Sequence, residues 1–268
     1  MSKIWAFIGG GAMAGAIIGG AKANGVIAPQ DIYVSDHKEK RCQELKDLYD
    51  INAMVGSEGF ISKADYVVLA IKPQVADKAI NEIKGKLKSG AVVISIVAGL
   101  TIDSIQQLLP EQPVVRVMPN TPLSVGEGMS AYALSPEVAD EAADDVKKLF
   151  EACGKAVEVK EYMLDAVTGL SGSGPAYGFL VIDALSDGGV AAGLPRQTAT
   201  LLAAQTILGA AKMVLETGKH PDMLRDQVTS PAGTTIAGVR VMEQQGVRGA
   251  MIDAVIAAAD RSKELGKK

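Results

Sequence analysis

Histidine and aromatic residues are scarce in this chain of 268 residues, which has two His, one Trp, six Tyr and four Phe. With only His37 and His220, few groups remain for an imidazole base or a histidine-rich metal shell. Cysteine is as rare: Cys42 and Cys153 lie far apart without metal-ligand spacing, and read as unpaired thiols in a reducing compartment with no bound metal. No charge of one sign dominates, with 27 Lys and Arg against 31 Asp and Glu. A net charge of -4 without a basic stripe excludes nucleic acid as the expected partner. No uninterrupted apolar run of about 18 residues occurs, so no membrane span is expected. The apolar start, Met1 to Ala23, is not read as a signal peptide. Its strand, Ile4 to Ile8, runs into a glycine cluster where a strand-to-helix turn belongs. The cytoplasm is the expected compartment.

What is present is a change of pattern along the chain. Strand-like runs fall at Lys3-Ile8, Asp31-Ser35, Tyr66-Ala70, Val92-Ile96, Val114-Met118, Met129-Ala133 and Ala156-Glu158. Amphipathic helical stretches alternate with them; Lys38-Tyr49, for example, puts Cys42, Leu45 and Leu48 on one side. Such alternation predicts an α/β, Rossmann-type doubly wound domain: a parallel sheet with helices on both faces. From about Tyr162 no strand follows. Helices are expected over Gly174-Ala192, Pro195-Thr217, Pro221-Val228, Gly233-Gln244 and Val247-Leu265, with Pro195 and Pro221 in first turns and Gly193, Gly218 and Gly246 as stops. The chain thus reads as a dinucleotide-binding domain over 1–160 and an all-α domain over 161–268. The stretch Gly174-Ala192 is apolar almost all round, and a helix without a polar face needs neighbours on every side. A second subunit is therefore expected to cover it.

The turn Gly9-Gly10-Gly11-Ala12-Met13-Ala14 follows an apolar strand and opens a helix, with an acidic residue ending the next strand. That context is the dinucleotide fingerprint: Gly9 for the tight turn, Gly11 for approach of the pyrophosphate, Ala14 in place of the third glycine. Backbone N–H groups at the helix start then face the phosphate charge. Asp36 would accept ribose hydroxyls and repel a 2′-phosphate, whereas Ser35, His37, Lys38 and Arg41 would accommodate one. The residues leave NADPH and NADH both open.

Hydride transfer to a carbonyl needs a positioned acid or base, and no histidine is well placed for it. An imine nitrogen is basic enough to arrive protonated, so the missing base favours C=N over C=O. The segment Thr229-Ser230-Pro231-Ala232-Gly233-Thr234-Thr235 reads either as a carboxylate site at a helix start or as an ordinary N-cap run, and the pattern does not separate the two.

Longer motifs carry a resemblance. In the first half they are Phe7-Ile8-Gly9-Gly10-Gly11-Ala12-Met13, Ala70-Ile71-Lys72-Pro73-Gln74, Ser95-Ile96-Val97-Ala98-Gly99 and Arg116-Val117-Met118-Pro119-Asn120-Thr121-Pro122. In the second they are Thr168-Gly169-Leu170-Ser171-Gly172-Ser173-Gly174-Pro175-Ala176-Tyr177 and Asp226-Gln227-Val228-Thr229-Ser230-Pro231-Ala232-Gly233-Thr234-Thr235-Ile236. Over essentially its whole length the chain resembles the pyrroline-5-carboxylate reductases. The resemblance implies NADPH- or NADH-dependent reduction of 1-pyrroline-5-carboxylate to L-proline, the last step of proline biosynthesis, and makes the helical half a dimerisation domain. It implies a cofactor lying along Gly9, Gly10, Gly11, Ala12, Met13, Ala14, Ser35, Asp36, Ile71, Lys72, Pro73, Ala98 and Gly99, with Ser57 near the adenosine and Asn120 near the nicotinamide. Substrate would meet Gln227, Ser230, Gly233, Thr234 and Thr235, with Thr235 and Lys72 as catalytic residues and the Thr235 hydroxyl near the ring nitrogen. It also implies homodimers with interlocked C-terminal helices, and a decamer of five dimers. Gln227, Ala232 and Ser57 depart from the family, where Asn, Gly and Asn are common.

Two other classes compete. A β-hydroxyacid dehydrogenase would carry a catalytic lysine on the first long helix of its second domain, but no lysine lies between Glu161 and Arg196. A non-catalytic NAD(P)-sensing protein would need the cofactor turn but not the Ser230–Thr235 segment.

Overall fold

The computed structural model describes residues 2–266. The chain forms two compact units: one runs to Gly172 and takes in the stretch from Ala257 onward, the other is Ser173–Ile256.

The first unit is built on a sheet of eight strands: β1 (Trp5–Ile8), β2 (Ile32–Ser35), β3 (Asn52–Met54), β4 (Tyr66–Leu69), β5 (Val92–Ser95), β6 (Val114–Met118), β7 (Gly128–Leu134) and β8 (Gly154–Glu158). Their order is β3-β2-β1-β4-β5-β6-β7-β8, so the direction of winding reverses between β1 and β4. The ladder is parallel except between β6 and β7, where Val115 pairs with Leu134 and Met118 with Ala131 in antiparallel register. The connection of nine residues, 119–127, is too short for a helical crossover, so the chain folds straight back. The central strands β1, β4, β5 and β6 are buried on both faces and are correspondingly near-continuous apolar runs.

Helices α1 (Ala12–Ala23), α2 (Glu39–Tyr49), α3 (Ala76–Ile83), α4 (Ile102–Leu108), α5 (Asp140–Glu151) and the short α6 (Leu164–Val167) cover the sheet. On one face Ile17 and Ile18 of α1, Leu45 of α2 and Phe150 of α5 pack on Phe7, Val34, Val68 and Val117. On the other, Ile80, Ile83, Ile102, Ile105 and Leu164 pack on Ile8, Val67, Leu69 and Met118. This is the doubly wound arrangement expected from the alternating pattern. Two local readings are corrected. Residues 52–54 form a strand that the pattern does not announce, because only Ala53 of the three is buried. Leu48 does not join Cys42 and Leu45: it lies one step past the stripe facing the sheet and is 64% exposed. Both cysteines are free and buried, and burial pushes the Cys153 thiol up to about 11, so it stays protonated.

The second unit contains α7 (Gly174–Ala191), α8 (Arg196–Thr217), α9 (Pro221–Gln227), α10 (Thr234–Gln244) and the first half of α11 (Val247–Leu265). A π-helical turn, Thr168–Gly172, precedes α7. α7 and α8 form an antiparallel hairpin, joined by a hydrogen bond of 2.7 Å between the Ser186 and Thr200 hydroxyls and by an Arg196–Asp187 ion pair at 2.6 Å. The Tyr177 hydroxyl donates to the Ala254 carbonyl at 3.3 Å, tying α7 to α11. Apolar burial in this unit is meagre, and Phe179, Leu180, Leu201 and Leu215 are each at least 65% exposed. By length and composition α8 is apolar enough to cross a membrane. Gln205 and Lys212 interrupt it, which is why a search for an unbroken apolar run passes over it.

Candidate functional site

The glycine turn sits at the carboxyl end of β1, beside the point where the winding reverses, which is where open α/β sheets bind ligands. Gly9 has φ +99, and a methyl group there would run into the Ala70 carbonyl at the end of β4 and come within 2.8 Å of Ile71. Only glycine lets the two strand ends approach so closely. A methyl group on Gly11 would meet nothing within 4 Å. α1 begins there with no side-chain cap and no acidic residue in its first turn. Unpaired N–H groups, the positive end of the helix dipole and open space together fit a pyrophosphate. Ala14 is fully buried where α1 crosses the strands.

At the end of β2 the geometry sharpens what sequence leaves divided. Asp36 accepts from the Gly10 N–H at 3.0 Å with one oxygen and from the Lys38 N–H at 3.0 Å with the other. Its carboxylate therefore braces the glycine turn. Arg41 does the same from α2, its Nε donating to the Gly10 carbonyl at 2.7 Å while Nη1 meets Glu44 at 3.1 Å. Both charged groups are thus tied to the turn, and Lys38 is left as an outward-facing cation beside His37, whose side chain is 82% exposed. Ser35 pairs with Ile8 across the ladder, and Ser57 is buried in the turn after β3.

Other expected cofactor residues lie in the loops after β4 and β5. Ile71, Lys72 and Pro73 follow β4; Lys72 is exposed and makes no ion pair among the described residues. Ala98 and Gly99 follow β5, where Gly99 turns the chain with φ +78. Asn120 follows β6 and is buried. Its Oδ1 accepts from the Met129 N–H at 2.8 Å and its Nδ2 donates to the Ser171 carbonyl at 3.0 Å, so the amide fastens the β6–β7 turn to the π-helical turn. Neither that clamp nor the Arg41 buttress is visible in a local pattern, since each spans a long stretch of chain.

In the second unit, Ser230, Gly233, Thr234 and Thr235 form the entry to α10. The Ser230 carbonyl accepts from the Gly233 N–H at 3.1 Å, closing a tight turn. Ala232 stands in that turn with φ +55, a left-handed conformation costing roughly 1 kcal/mol for a residue with a Cβ. Gly233 caps α10 without a side chain and no acidic residue follows in the first turn, so the N–H groups of Thr234 and Thr235 have no side-chain partner among the described residues. Gln227 ends α9 and is exposed. A helix start left in this state accepts a carboxylate.

Residues 161–265 match the family model described as pyrroline-5-carboxylate reductase dimerisation, and residues 4–99 match one described as NADP oxidoreductase coenzyme F420-dependent. A pyrroline-5-carboxylate reductase of Arabidopsis thaliana is 47% identical, over 97% of this chain and 95% of its own. Among solved structures, a pyrroline-5-carboxylate reductase from Coxiella burnetii superposes with a TM-score of 0.94 at 36% identity, each chain covered completely. A Plasmodium falciparum pyrroline carboxylate reductase crystallised with NADP bound superposes with a TM-score of 0.88 at 33% identity, over 98% of both chains. Identity of this level along the full length leaves one assignment: the chain belongs to the pyrroline-5-carboxylate reductase family.

Proposed function

We propose that the chain reduces 1-pyrroline-5-carboxylate to L-proline at the expense of NADPH or NADH, the last step of proline biosynthesis. The observation that carries this reading is the pair of uncapped helix starts, α1 behind Gly11 and α10 behind Gly233. Each offers N–H groups to an anion, the first to a pyrophosphate and the second to the carboxylate of a small substrate. When bound, the reduced nicotinamide supplies a hydride to the imine carbon.

The chain's own residues bind and orient. Gly9 to Ala14 hold the pyrophosphate, with Ser35, Asp36 and Ser57 toward the adenosine end. Ile71, Lys72, Pro73, Ala98 and Gly99 line the remainder, and Asn120 shapes the nicotinamide end through the turn it clamps. Ser230, Gly233, Thr234 and Gln227 hold the carboxylate. Thr235, in the first turn of α10, places its hydroxyl toward the ring nitrogen, and Lys72 supplies a positive charge near the reacting groups. No catalytic histidine is required, because a protonated imine is already the electrophile. The absence of a lysine between Glu161 and Arg196 argues against β-hydroxyacid dehydrogenase chemistry.

The helical unit is assigned to self-association. Its exposed apolar side chains and the dimerisation model over 161–265 support a homodimer with interlocked C-terminal helices, and the family resemblance extends this to a decamer of five dimers. The cytoplasm is the proposed compartment, in keeping with the two free, buried thiols.

The test is nicotinamide oxidation followed by absorbance with pyrroline-5-carboxylate, run separately with NADPH and NADH on the native chain and on Thr235→Ala. The native chain is expected to turn over, and the variant to lose about tenfold or more in kcat while still binding dinucleotide. No oxidation with either cofactor overturns the function, and unchanged kinetics in the variant removes Thr235 from the site.

A further inference from the structure

The reaction as proposed makes no use of an ion pair, buried on its arginine side, that lies behind one of its loops. Arg116, in the middle of β6, is only 6% exposed. The period of two along a strand puts it on the same sheet face as Val114 and Met118, among apolar neighbours. A guanidinium in such a place is costly unless paired. Its Nη1 donates to Glu161 Oε1 at 3.1 Å, and its Nε finds no acceptor among the described residues. The same Glu161 oxygen accepts the backbone N–H of Ile102, the first residue of α4, at 2.8 Å. One carboxylate oxygen thus joins the middle of the sheet to the start of a helix.

Four residues further on, Asp165 in α6 accepts from the Ser262 hydroxyl at 2.6 Å and so holds the last turns of α11. The end of α11 borders Gly99: a methyl group there would touch the Leu265 carbonyl at 3.6 Å. The start of α4 and the end of α11 are therefore the two flanks of loop 96–101. Within that loop the Val97 N–H donates to the Ser95 hydroxyl at 3.3 Å, the Leu100 N–H to the Val97 carbonyl at 3.4 Å, and the Thr101 hydroxyl caps α4 by accepting the Ser104 N–H at 3.1 Å. Ala98 and Gly99 themselves enter none of these bonds among the described residues, so their position follows the flanks, and both flanks are gripped by residues 161–165.

We propose that Glu161 is a positioning residue for dinucleotide binding: it fixes the loop carrying Ala98 and Gly99 by tying α4 to the buried Arg116, while Asp165 secures the opposite flank. This rests on the reading of that loop as part of the cofactor site. Glu161→Ala removes both the helix anchor and the counter-charge. Glu161→Gln keeps an oxygen for the Ile102 N–H but leaves Arg116 uncompensated.

Calorimetric titration of the full chain with NADPH and NADH, without substrate, tests it, alongside kcat, KM and melting temperature. Loss of a charge-assisted anchor is expected to weaken dinucleotide binding about tenfold in Glu161→Ala and about threefold in Glu161→Gln, with KM for the dinucleotide following and kcat changing less. A merely structural role lowers the melting temperature and leaves the affinity of the folded protein unchanged, and that result overturns the inference. If Glu161→Ala does not fold, Glu161→Gln decides on the same criterion. A native chain that binds neither dinucleotide overturns the cofactor reading and this inference with it. Tight native binding with unaltered variants overturns this inference alone.

Discussion

The carboxylate of Asp36 is held from two sides by the backbone N–H groups of Gly10 and Lys38, and this changes what its charge can do. An acidic residue at the end of β2 is ordinarily a ribose-hydroxyl acceptor that repels a 2′-phosphate. Here it also stiffens the glycine turn, so removing the side chain would confound two effects. Asp36→Asn separates them, because an amide oxygen still accepts from Gly10 while the charge is gone. A single negative charge about 6 Å from a dianionic phosphate in water-like surroundings costs about 1.4 kcal/mol, or one decade in affinity. The variant is expected to raise the ratio of kcat/KM for NADPH to that for NADH about tenfold, with little change for NADH. Parallel saturation curves with the two cofactors measure the ratio. An unchanged ratio would mean that Asp36 acts on the turn alone. Arg41 leads to a related lesson: it reads as a phosphate ligand by its position, yet its Nε is committed to Gly10.

Among the elements, α1 packs without room for one more methyl group. A methyl group on Gly20 would overlap the Cys153 sulfur and approach the Ala152 carbonyl to 3.1 Å. Cys153 cannot easily give way, being fully buried with its sulfur against the Ala16 and Ile17 carbonyls of the same helix. Gly20→Ala should therefore destabilise the chain by about 1–3 kcal/mol, although alanine alone favours a helix by about 1 kcal/mol. Urea unfolding of Gly20→Ala, Cys153→Ala and the double variant should give a coupling of about 1 kcal/mol. A Gly20→Ala chain as stable as the native one would remove the steric argument. Such contacts mark the limit of what a sequence discloses. Helices such as α8 and α11 are legible from their length and from the flanking Pro195, Gly218 and Gly246, and apolar strands such as β4 and β5 because their burial pattern is local. β3 is not, since an edge strand with one buried residue has no period to read. The loss of strands after Glu158 places a boundary near 160, whereas the packing of Leu164 into the sheet carries the first compact unit on to Gly172. The glycine turn is legible because turn residues act on their neighbours, whereas the Ser230–Thr235 entry to α10 reads equally as a carboxylate site or an N-cap run. The Asn120 clamp and the Arg116–Glu161 pair join residues 45 or more positions apart, and only a charged residue inside the apolar run Val114–Met118 hints at one of them.

At the scale of the whole molecule, the helical unit raises the question of what stabilises it. Within Ser173–Ile256 the buried apolar residues are Ala199, Ala203 and Leu224, two of them alanines. A core of that size removes far too little apolar surface to offset the entropy of ordering five helical segments. Phe179, Leu180, Leu201, Leu202, Leu208 and Ile252 instead remain exposed by half or more. Single exposed apolar residues are ordinary, but three helices exposing this many mark an association surface. Self-association should then be part of folding, and stability should depend on protein concentration. The melting temperature of the native chain is expected to rise as concentration rises, and light scattering is expected to give at least twice the mass of one chain. Leu180→Asp, at a position 69% exposed in the isolated chain, would be harmless on a free surface. In a buried interface an unpaired carboxylate is strongly unfavourable. The variant should therefore shift the scattering mass toward a single chain, lower the melting temperature and abolish turnover together. A native chain that scatters as a monomer and melts at one temperature at every concentration would refute the argument. A fully active Leu180→Asp oligomer would move the interface off α7.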